Sequence, residues 1–276
     1  MGSSLLIQEF RNPRSSDEGE PASSVIKARQ LCKNFVSRKR WRKETVEAVR
    51  DVSFTCRSGE IYGLLGANGA GKTTTLRMLG TILRPTSGTA SVAGFDIGSD
   101  AHRVRQRVGF LSTQTALYGR LTAREFVQYF GRLHDVSEED LDRRVEEIFE
   151  RLDMNEFRDR RCDKLSTGQK QKTSIARTLI HDPPVMIFDE PTAGLDVLAQ
   201  RTILAFVREC RDRKKTVIFS THVMSEAEKL CDRLGIIHSG RLVAEGTIGE
   251  LRQKYAMDDL EDLFVHLVSQ NGKEAA

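Results

Sequence analysis

The chain has 276 residues, and 43 lysines and arginines against 39 aspartates and glutamates give it a formal net charge of +4. Hydrophobic residues make up 39% and charged residues 30%, which excludes a mostly disordered or collagen-like chain and suits one large domain or two small ones. No apolar run approaches the roughly 18–20 residues that span a bilayer, and no signal-peptide pattern begins the chain. We therefore expect any membrane role to depend on another chain.

Cysteines and basic residues give the next constraints. The five cysteines are scattered without a Cys-x-x-Cys pair, which favours reduced thiols in a cytosolic compartment over a zinc site or a disulfide framework. The small net charge gives no reason to expect nucleic-acid binding. Basic residues crowd around Trp41 between Arg38 and Lys43. We interpret this stretch as a solvated hairpin loop, with contact to anionic lipid or nucleic acid as the alternative.

Taken in chain order, the predicted elements alternate between strands and helices. Residues 1–24 are rich in Ser, Glu, Pro and Arg and predict a disordered tail. Short apolar runs predict buried strands at 61–65, 185–188, 216–219 and 234–237, and predicted helical segments separate them. This alternation predicts an α/β fold with a parallel sheet.

The middle of the chain, from about 121 to 162, has a helical period instead. Thr122 and Glu125 form a Thr-x-x-Glu capping box at its start. The two predicted apolar stripes are Phe126, Phe130 and Leu133, then Leu141, Val145, Ile148 and Leu152. Their period predicts a helical insert packed through its apolar faces. A second capping box, Thr247 with Glu250, begins another helical stretch near the end of the chain.

Residues 66–73 match the pattern Gly-x-x-x-x-Gly-Lys-[Ser/Thr], directly after a predicted strand and before a helical run. The glycines allow backbone amides to surround a phosphate. Lys72 can reach the β- and γ-phosphates, and the hydroxyl of Thr73 can bind Mg²⁺. The helix N-terminus adds the positive end of its dipole. The sequence therefore predicts a phosphate-binding loop.

Acidic and polar residues follow other predicted strands. Asp189 ends an apolar strand and is placed to hold Mg²⁺, while Glu190 can accept a proton from an attacking water or orient it. A solvated turn before Pro191 is the alternative for this pair. His222 and Gln114 also follow strands, where they would lie at the ligand-binding edge of the sheet.

A second anion site is predicted where Ser166 and Gln169 form a Ser-x-x-Gln capping box. A helix N-terminus, the Ser166 hydroxyl and the flexible amide of Gly168 together favour a phosphate. Two such sites in one chain suggest either two nucleotides or one nucleotide shared between two subunits.

The ordered set of motifs resembles the ATP-binding subunit of an ABC transporter over about residues 25–250. The motifs that carry the resemblance are the Walker A loop at 66–73, a Q-loop at Gln114, a signature at 165–169, Walker B at 185–189 with Glu190, a D-loop at 193–196 and the switch His222. Thr167 replaces the usual Gly of the signature, and we expect this change to tune how the site closes without abolishing activity.

The resemblance implies a role for each matched residue. ATP and Mg²⁺ are the implied cofactors, with Glu190, His222 and Gln114 in catalysis and Thr73, Gln114 and Asp189 at the metal. The implied nucleotide contacts are Phe35, Gly66, Asn68, Gly69, Ala70, Gly71, Lys72, Thr73, Thr74, Ser166, Gly168, Gln169 and Asp196. For the aromatic that stacks on adenine, Phe35 is favoured and Trp41 is the competitor.

The implied architecture is a P-loop (RecA-like) core with an antiparallel β subdomain near 25–62, a helical subdomain at about 115–170 and a C-terminal helical extension at 251–276. The resemblance further implies a head-to-tail homodimer that binds a transmembrane permease subunit at the cytoplasmic face of the membrane. A closer likeness to sodium-exporter (NatA-like) and drug-exporter subunits favours export.

The sequence alone leaves two other classes of protein as alternatives. A soluble ABC ATPase of DNA repair, translation or iron–sulfur assembly would be expected to carry a duplicated unit, a zinc or coiled-coil insert or a strongly basic face, and the sequence shows none of these. A P-loop kinase would lack the signature at 165–169 and His222.

Overall fold

The computed structural model describes residues 24–39, 42–112 and 116–273. Gln114 and Trp41 lie outside the described residues, as does the predicted tail before Ser24. In the described part of the chain, no helix combines the length and the apolar character that crossing a membrane requires.

The strands form two sheets. In chain order they are β1 (Ser24–Lys39), β2 (Arg42–Arg57), β3 (Ile61–Leu65), β4 (Ser87–Val92), β5 (Phe95–Asp96), β6 (Val108–Ser112), β7 (Val185–Asp189), β8 (Thr216–Thr221), β9 (Arg233–His238) and β10 (Arg241–Gly246). The larger sheet has the order β10-β9-β3-β8-β7-β6, and only β10 runs antiparallel to its neighbour. The smaller sheet has the order β2-β1-β4-β5 and is antiparallel throughout.

Helices cover the larger sheet and form the insert. They are α1 (Lys72–Leu79), α2 (Ala101–Arg107), α3 (Ala123–Leu133), α4 (Glu138–Arg151), α5 (Thr167–Leu179), α6 (Val197–Asp212), α7 (Met224–Leu230), α8 (Ile248–Tyr255) and α9 (Leu260–Lys273). The capping boxes predicted at Thr122, Ser166 and Thr247 are all formed, so local sequence sets where α3, α5 and α8 begin.

Two hydrophobic cores lie on opposite faces of the larger sheet, because successive side chains of a strand point to opposite sides. Ile61 and Leu65 of β3 belong to the core that holds α3 to α9. Tyr62 and Leu64 of the same strand belong to the core that holds α1, α2 and the smaller sheet. The result is an α/β fold with a P-loop core and an antiparallel β sheet beside it, as predicted.

The apolar stripe predicted for α3 is wrong at Leu133, which is 56% exposed. The buried residues of this helix are Ala123, Phe126, Val127 and Gly131. At about 100° per residue, Leu133 lies only about 20° around the helix from the buried Phe126, but it is the last residue of α3. The apolar period identifies the packed face correctly at Phe126, but it does not show that the packing stops before the end of the helix.

Candidate functional site

The glycine-rich loop follows β3 and leads directly into α1, which begins at Lys72. The end of the strand is tied to its neighbour by a hydrogen bond from the Gly66 amide to the Thr221 carbonyl at 3.4 Å. Gly71 has a φ of 108°, and a Cβ there would lie 2.6 Å from the carbonyl oxygen of Ala48. Only glycine therefore fits at the entrance to α1.

A cavity of about 220 Å³ lies over this loop. Its lining residues are Ala48, Asn68, Gly69, Gly71, Lys72, Thr73, Thr74 and Glu190. Seven of these were predicted as site residues, and the structure brings them together. The eighth, Ala48, lies on β2 and has no sequence signal of its own. Gly66 and Ala70 were also predicted but are not among the lining residues. Ala70 is buried and donates its amide to the Ala67 carbonyl within the loop.

Lys72 is the cation of the cavity and is only 3% exposed. Its Nζ donates hydrogen bonds to the carbonyl oxygens of Gly66 at 2.7 Å and Ala67 at 3.1 Å. The third contact is an ion pair with Oε1 of Glu190 at 2.9 Å. These partners hold a buried ammonium without leaving a donor unpaired.

Asp189 ends β7 beside the first turn of α1. The hydroxyl of Thr73 donates to its Oδ1 at 2.9 Å, and the hydroxyl of Ser220 donates to the same oxygen at 3.1 Å. Burial raises the pKa of Asp189, and the two hydroxyl hydrogen bonds oppose this rise. The donor set fits Mg²⁺, which prefers oxygen ligands and is often held by one or two protein side chains together with phosphates.

Glu190 connects Lys72 to His222. Its Oε2 lies 3.4 Å from Nδ1 of His222, while Oε1 contacts Lys72. Glu190 lines the cavity and is 22% exposed, and His222 beside it is 42% exposed. A carboxylate in this place can accept a proton from a water beside a bound phosphate, and the imidazole can orient that water.

The capping box predicted at Ser166 is formed, and it lies outside the cavity over the glycine-rich loop. Ser166 caps α5 by accepting the Gln169 amide at 3.3 Å, and Gln169 Oε1 accepts the Ser166 amide at 3.0 Å. Ser166, Thr167 and Gly168 are all exposed, and neither Ser166, Gly168 nor Gln169 lines the cavity over the glycine-rich loop. The two predicted phosphate sites are therefore not joined within one chain.

Two further predicted residues also lie away from this cavity. Asp196 caps α6, where its Oδ1 accepts the Ala199 amide at 2.9 Å. Phe35 lies on β1 opposite Val46 and is 41% exposed, with the Lys33 Nζ 5.4 Å from its ring centre. Its ring face is therefore already occupied by a cation.

Ser220 is the residue that sequence reasoning missed. It touches both acids and is fully buried at the end of β8. A signal was available, since a hydroxyl follows the apolar run 217–219 of a strand that lies beside the acidic strand. Burial of such a residue requires hydrogen-bond partners.

A glycine-rich loop between a buried strand and a helix, facing a strand that ends in two acids, defines a P-loop nucleotide-binding protein. The ABC transporter family profile matches residues 49–193. The chain is 42% identical to the ABC transporter ATP-binding protein NatA of Bacillus subtilis, over 81% of this chain and 92% of that protein. It therefore belongs to the ABC transporter family as an ATP-binding subunit, and its activity is ATP hydrolysis.

Other similar proteins belong to the same family. YbhF of Escherichia coli, a probable multidrug ABC transporter ATP-binding protein, is 34% identical over 93% of this chain, which spans 44% of YbhF. Nod factor export ATP-binding protein I of Burkholderia lata is 42% identical over 72% of this chain and 65% of its own length. A dimeric post-hydrolysis structure of the ATP-binding cassette MJ0796, bound to ADP and Pi, matches with a TM-score of 0.71 and 25% identity, over 80% of this chain and 98% of that one. The comparisons do not favour the soluble ATPase or the kinase alternative.

Proposed function

We propose that the chain binds Mg²⁺–ATP in the cavity over the glycine-rich loop and hydrolyses it with Glu190 as general base. The observation that carries the proposal is the contact of Glu190 with both Lys72 and His222 at 2.9 and 3.4 Å. Lys72 marks where the terminal phosphates bind, so a carboxylate beside it is within reach of a water that attacks the γ-phosphate. His222 orients that carboxylate and the water.

Thr73 and Asp189 would hold Mg²⁺, and the resemblance adds Gln114. Because the Thr73 hydroxyl donates its proton to Asp189, its oxygen lone pairs remain available to a cation. The metal neutralises charge on the phosphates when it is bound. The backbone amides of the loop and the start of α1 bind the phosphates from the other side.

We propose that two copies pack head to tail, so that Ser166, Gly168 and Gln169 of one chain complete the nucleotide site of the other. Within one chain these residues lie outside the cavity, and their exposure leaves them accessible. Apolar side chains are also exposed beside Asp196, where Val197 is 64% and Leu198 75% exposed. The dimeric MJ0796 structure supports this arrangement. ATP then stabilises the dimer and hydrolysis releases it.

We propose that the helical subdomain, about 115–170, binds a transmembrane permease at the cytoplasmic face of the membrane. Tyr118, Tyr129 and Leu133 are 51%, 40% and 56% exposed, and rings of Tyr118, Tyr129 and Phe130 pack at 5.5–6.3 Å. Exposed aromatic clusters of this kind mark interaction surfaces. The multidrug and export names of the relatives support export as the direction. The rest of 25–250 forms the ATPase core, and 251–276 the extension.

Mg²⁺-dependent phosphate release by the purified chain tests the site. Thr73→Ala removes a proposed metal ligand, and we expect it to raise the Mg²⁺ concentration for half-maximal rate by at least about 10-fold. Thr202→Ala is the matched control, since this exposed threonine lies on α6 and donates only to the Leu198 carbonyl. An unchanged Mg²⁺ dependence in Thr73→Ala would contradict the metal assignment.

A further inference from the structure

Ser220 is a buried hydroxyl that follows three apolar residues of a central strand. It is 0% exposed and lies at the end of β8, after Val217, Ile218 and Phe219. The parallel register places it directly beside Asp189 of β7 and beside Leu64 of β3. Its position in the central part of the sheet is therefore fixed by strand pairing on both sides.

The hydroxyl of Ser220 contacts both acids of the site at once. It donates to Oδ1 of Asp189 at 3.1 Å and accepts the backbone N–H of Glu190 at 3.0 Å. Serine can do both, because its hydroxyl is one donor and also carries acceptor lone pairs. One side chain thus couples the carboxylate assigned to the metal to the backbone of the residue assigned to the water.

The backbone of Glu190 needs such support. Its φ is 45°, in the left-handed region that side chains other than glycine rarely adopt. Glu190 also precedes Pro191, which disfavours compact conformations of the residue before it. The conformation is held by the Ser220 hydrogen bond on the amide side and by the Ala193 amide, which donates to the Glu190 carbonyl at 3.1 Å. This turn directs the Glu190 side chain towards Lys72 and His222.

We propose that Ser220 is a positioning residue for ATP hydrolysis, and this inference rests on the proposed role of Glu190. Ser220 does not line the nucleotide cavity and acts through the two acids. It holds Asp189 at the end of β7 and fixes the backbone turn that carries Glu190. Nucleotide binding depends on the glycine-rich loop and Lys72, and Ser220 contacts neither. Loss of Ser220 should therefore lower the rate of hydrolysis and not the affinity for ATP.

The test compares Ser220→Ala with Thr216→Ala in the full chain. Thr216 is a buried hydroxyl at the opposite end of the same strand and accepts the Gly59 amide at 3.1 Å, so its loss reports the structural cost alone. We expect Ser220→Ala to lower kcat by about 10- to 100-fold, which corresponds to the energy of one hydrogen bond to a charged group. Its ATP affinity should stay within about 3-fold of wild type. Thr216→Ala should keep the wild-type kcat.

A double variant separates positioning from a general loss of structure. If Ser220 acts through Glu190, adding Ser220→Ala to Glu190→Gln should lower kcat by less than about 3-fold, because the two effects are then not additive. If Ser220→Ala does not fold, Ser220→Cys provides the same comparison, since a thiol keeps the shape and weakens both hydrogen bonds.

The inference is overturned if Ser220→Ala hydrolyses ATP at the wild-type rate, if Thr216→Ala lowers kcat equally, or if the losses in the double variant multiply. A wild-type chain without ATPase activity would overturn the proposed function and this inference together. An active wild type with an active Ser220→Ala would overturn the inference alone.

Discussion

The Nζ of Lys72 lies 2.9 Å from Oε1 of Glu190, so the cation that would bind phosphate is paired with the carboxylate that would activate water. Hydrogen bonds to Gly66 and Ala67 occupy the other two donors of this ammonium. A phosphate can therefore bind Lys72 only by displacing one of these three partners, and Glu190 is the one whose negative charge a phosphate would repel. We infer that nucleotide binding releases this carboxylate for catalysis while it stays beside His222.

Removing Lys72 should remove most of the ATP affinity. Lys72→Ala leaves a buried phosphate without its cation, and we expect a loss of at least about 30-fold, the lower range for truncating one partner of a buried charge pair. Titration with ATP measures it, and Lys254→Ala on the exposed surface of α8 is the control. Unchanged ATP affinity in Lys72→Ala would contradict the assignment of residues 66–73 as the phosphate-binding loop.

Mixing two inactive variants tests the shared site. Lys72→Ala damages the cavity and Ser166→Ala damages the exposed signature, so each homodimer has two defective sites. A mixed head-to-tail dimer has one site with both defects and one with neither. We expect the mixture to hydrolyse ATP faster than the sum of its components at the same total concentration. A rate equal to that sum would count against sharing between two copies.

Much of this site follows from local sequence, because the loop, the capping boxes and the end of β7 are each set by a few neighbouring residues. What the sequence does not predict are contacts between distant segments. Ala48 reaches the cavity because β2 passes beside the loop, and Ser220 meets Asp189 through the register of two strands 31 residues apart. The exposure of Leu133 depends on where α3 ends relative to the elements that it packs against.

The exposed end of α3 gives a test of the membrane partner. Leu133→Ser changes a residue that is 56% exposed, so the isolated chain should keep its stability and its phosphate release. Binding to a co-expressed transmembrane partner should weaken by about 10-fold if Leu133 contributes to the interface. Val265→Ser on α9, 64% exposed, is the control for loss of an apolar surface residue. Equal co-purification of both variants would argue against docking at α3.

A half-buried histidine pair predicts how stability depends on pH. The rings of His134 and His181 stack with centres 3.7 Å apart, and His181 Nε2 lies 3.2 Å from the Val108 carbonyl oxygen. Burial and the neighbouring His134 lower the pKa of His181 from 6.5 to about 3. The folded chain therefore keeps this ring neutral in a pH range where the unfolded chain protonates it.

The sign of the effect follows from proton linkage. The neutral His181 ring should contribute fully to the free energy of unfolding above about pH 6.5, and this contribution should be lost as the pH falls towards about 3. Its size is about 1.4 kcal/mol per unit of pKa shift. His181→Phe keeps an aromatic ring but cannot titrate, so its melting temperature should fall less steeply between pH 6.5 and 4. His102→Gln, at an exposed histidine of α2, is the control, and its melting temperature should depend on pH as steeply as that of the wild type. Equal slopes in wild type and His181→Phe would contradict the assignment.

The rate of phosphate release by Glu190→Gln at saturating Mg²⁺–ATP tests the central claim most directly. The amide keeps the shape of the side chain and removes its charge, so ATP should bind at least as tightly as in wild type, since the competitor for Lys72 is weakened. The general base is lost, and the rate should fall roughly 10²- to 10⁴-fold. The trapped nucleotide should then keep two copies together, whereas Lys72→Ala stays monomeric in size-exclusion chromatography. A wild-type rate in Glu190→Gln would show that Glu190 is not the base and would leave His222 as the residue that organises the water.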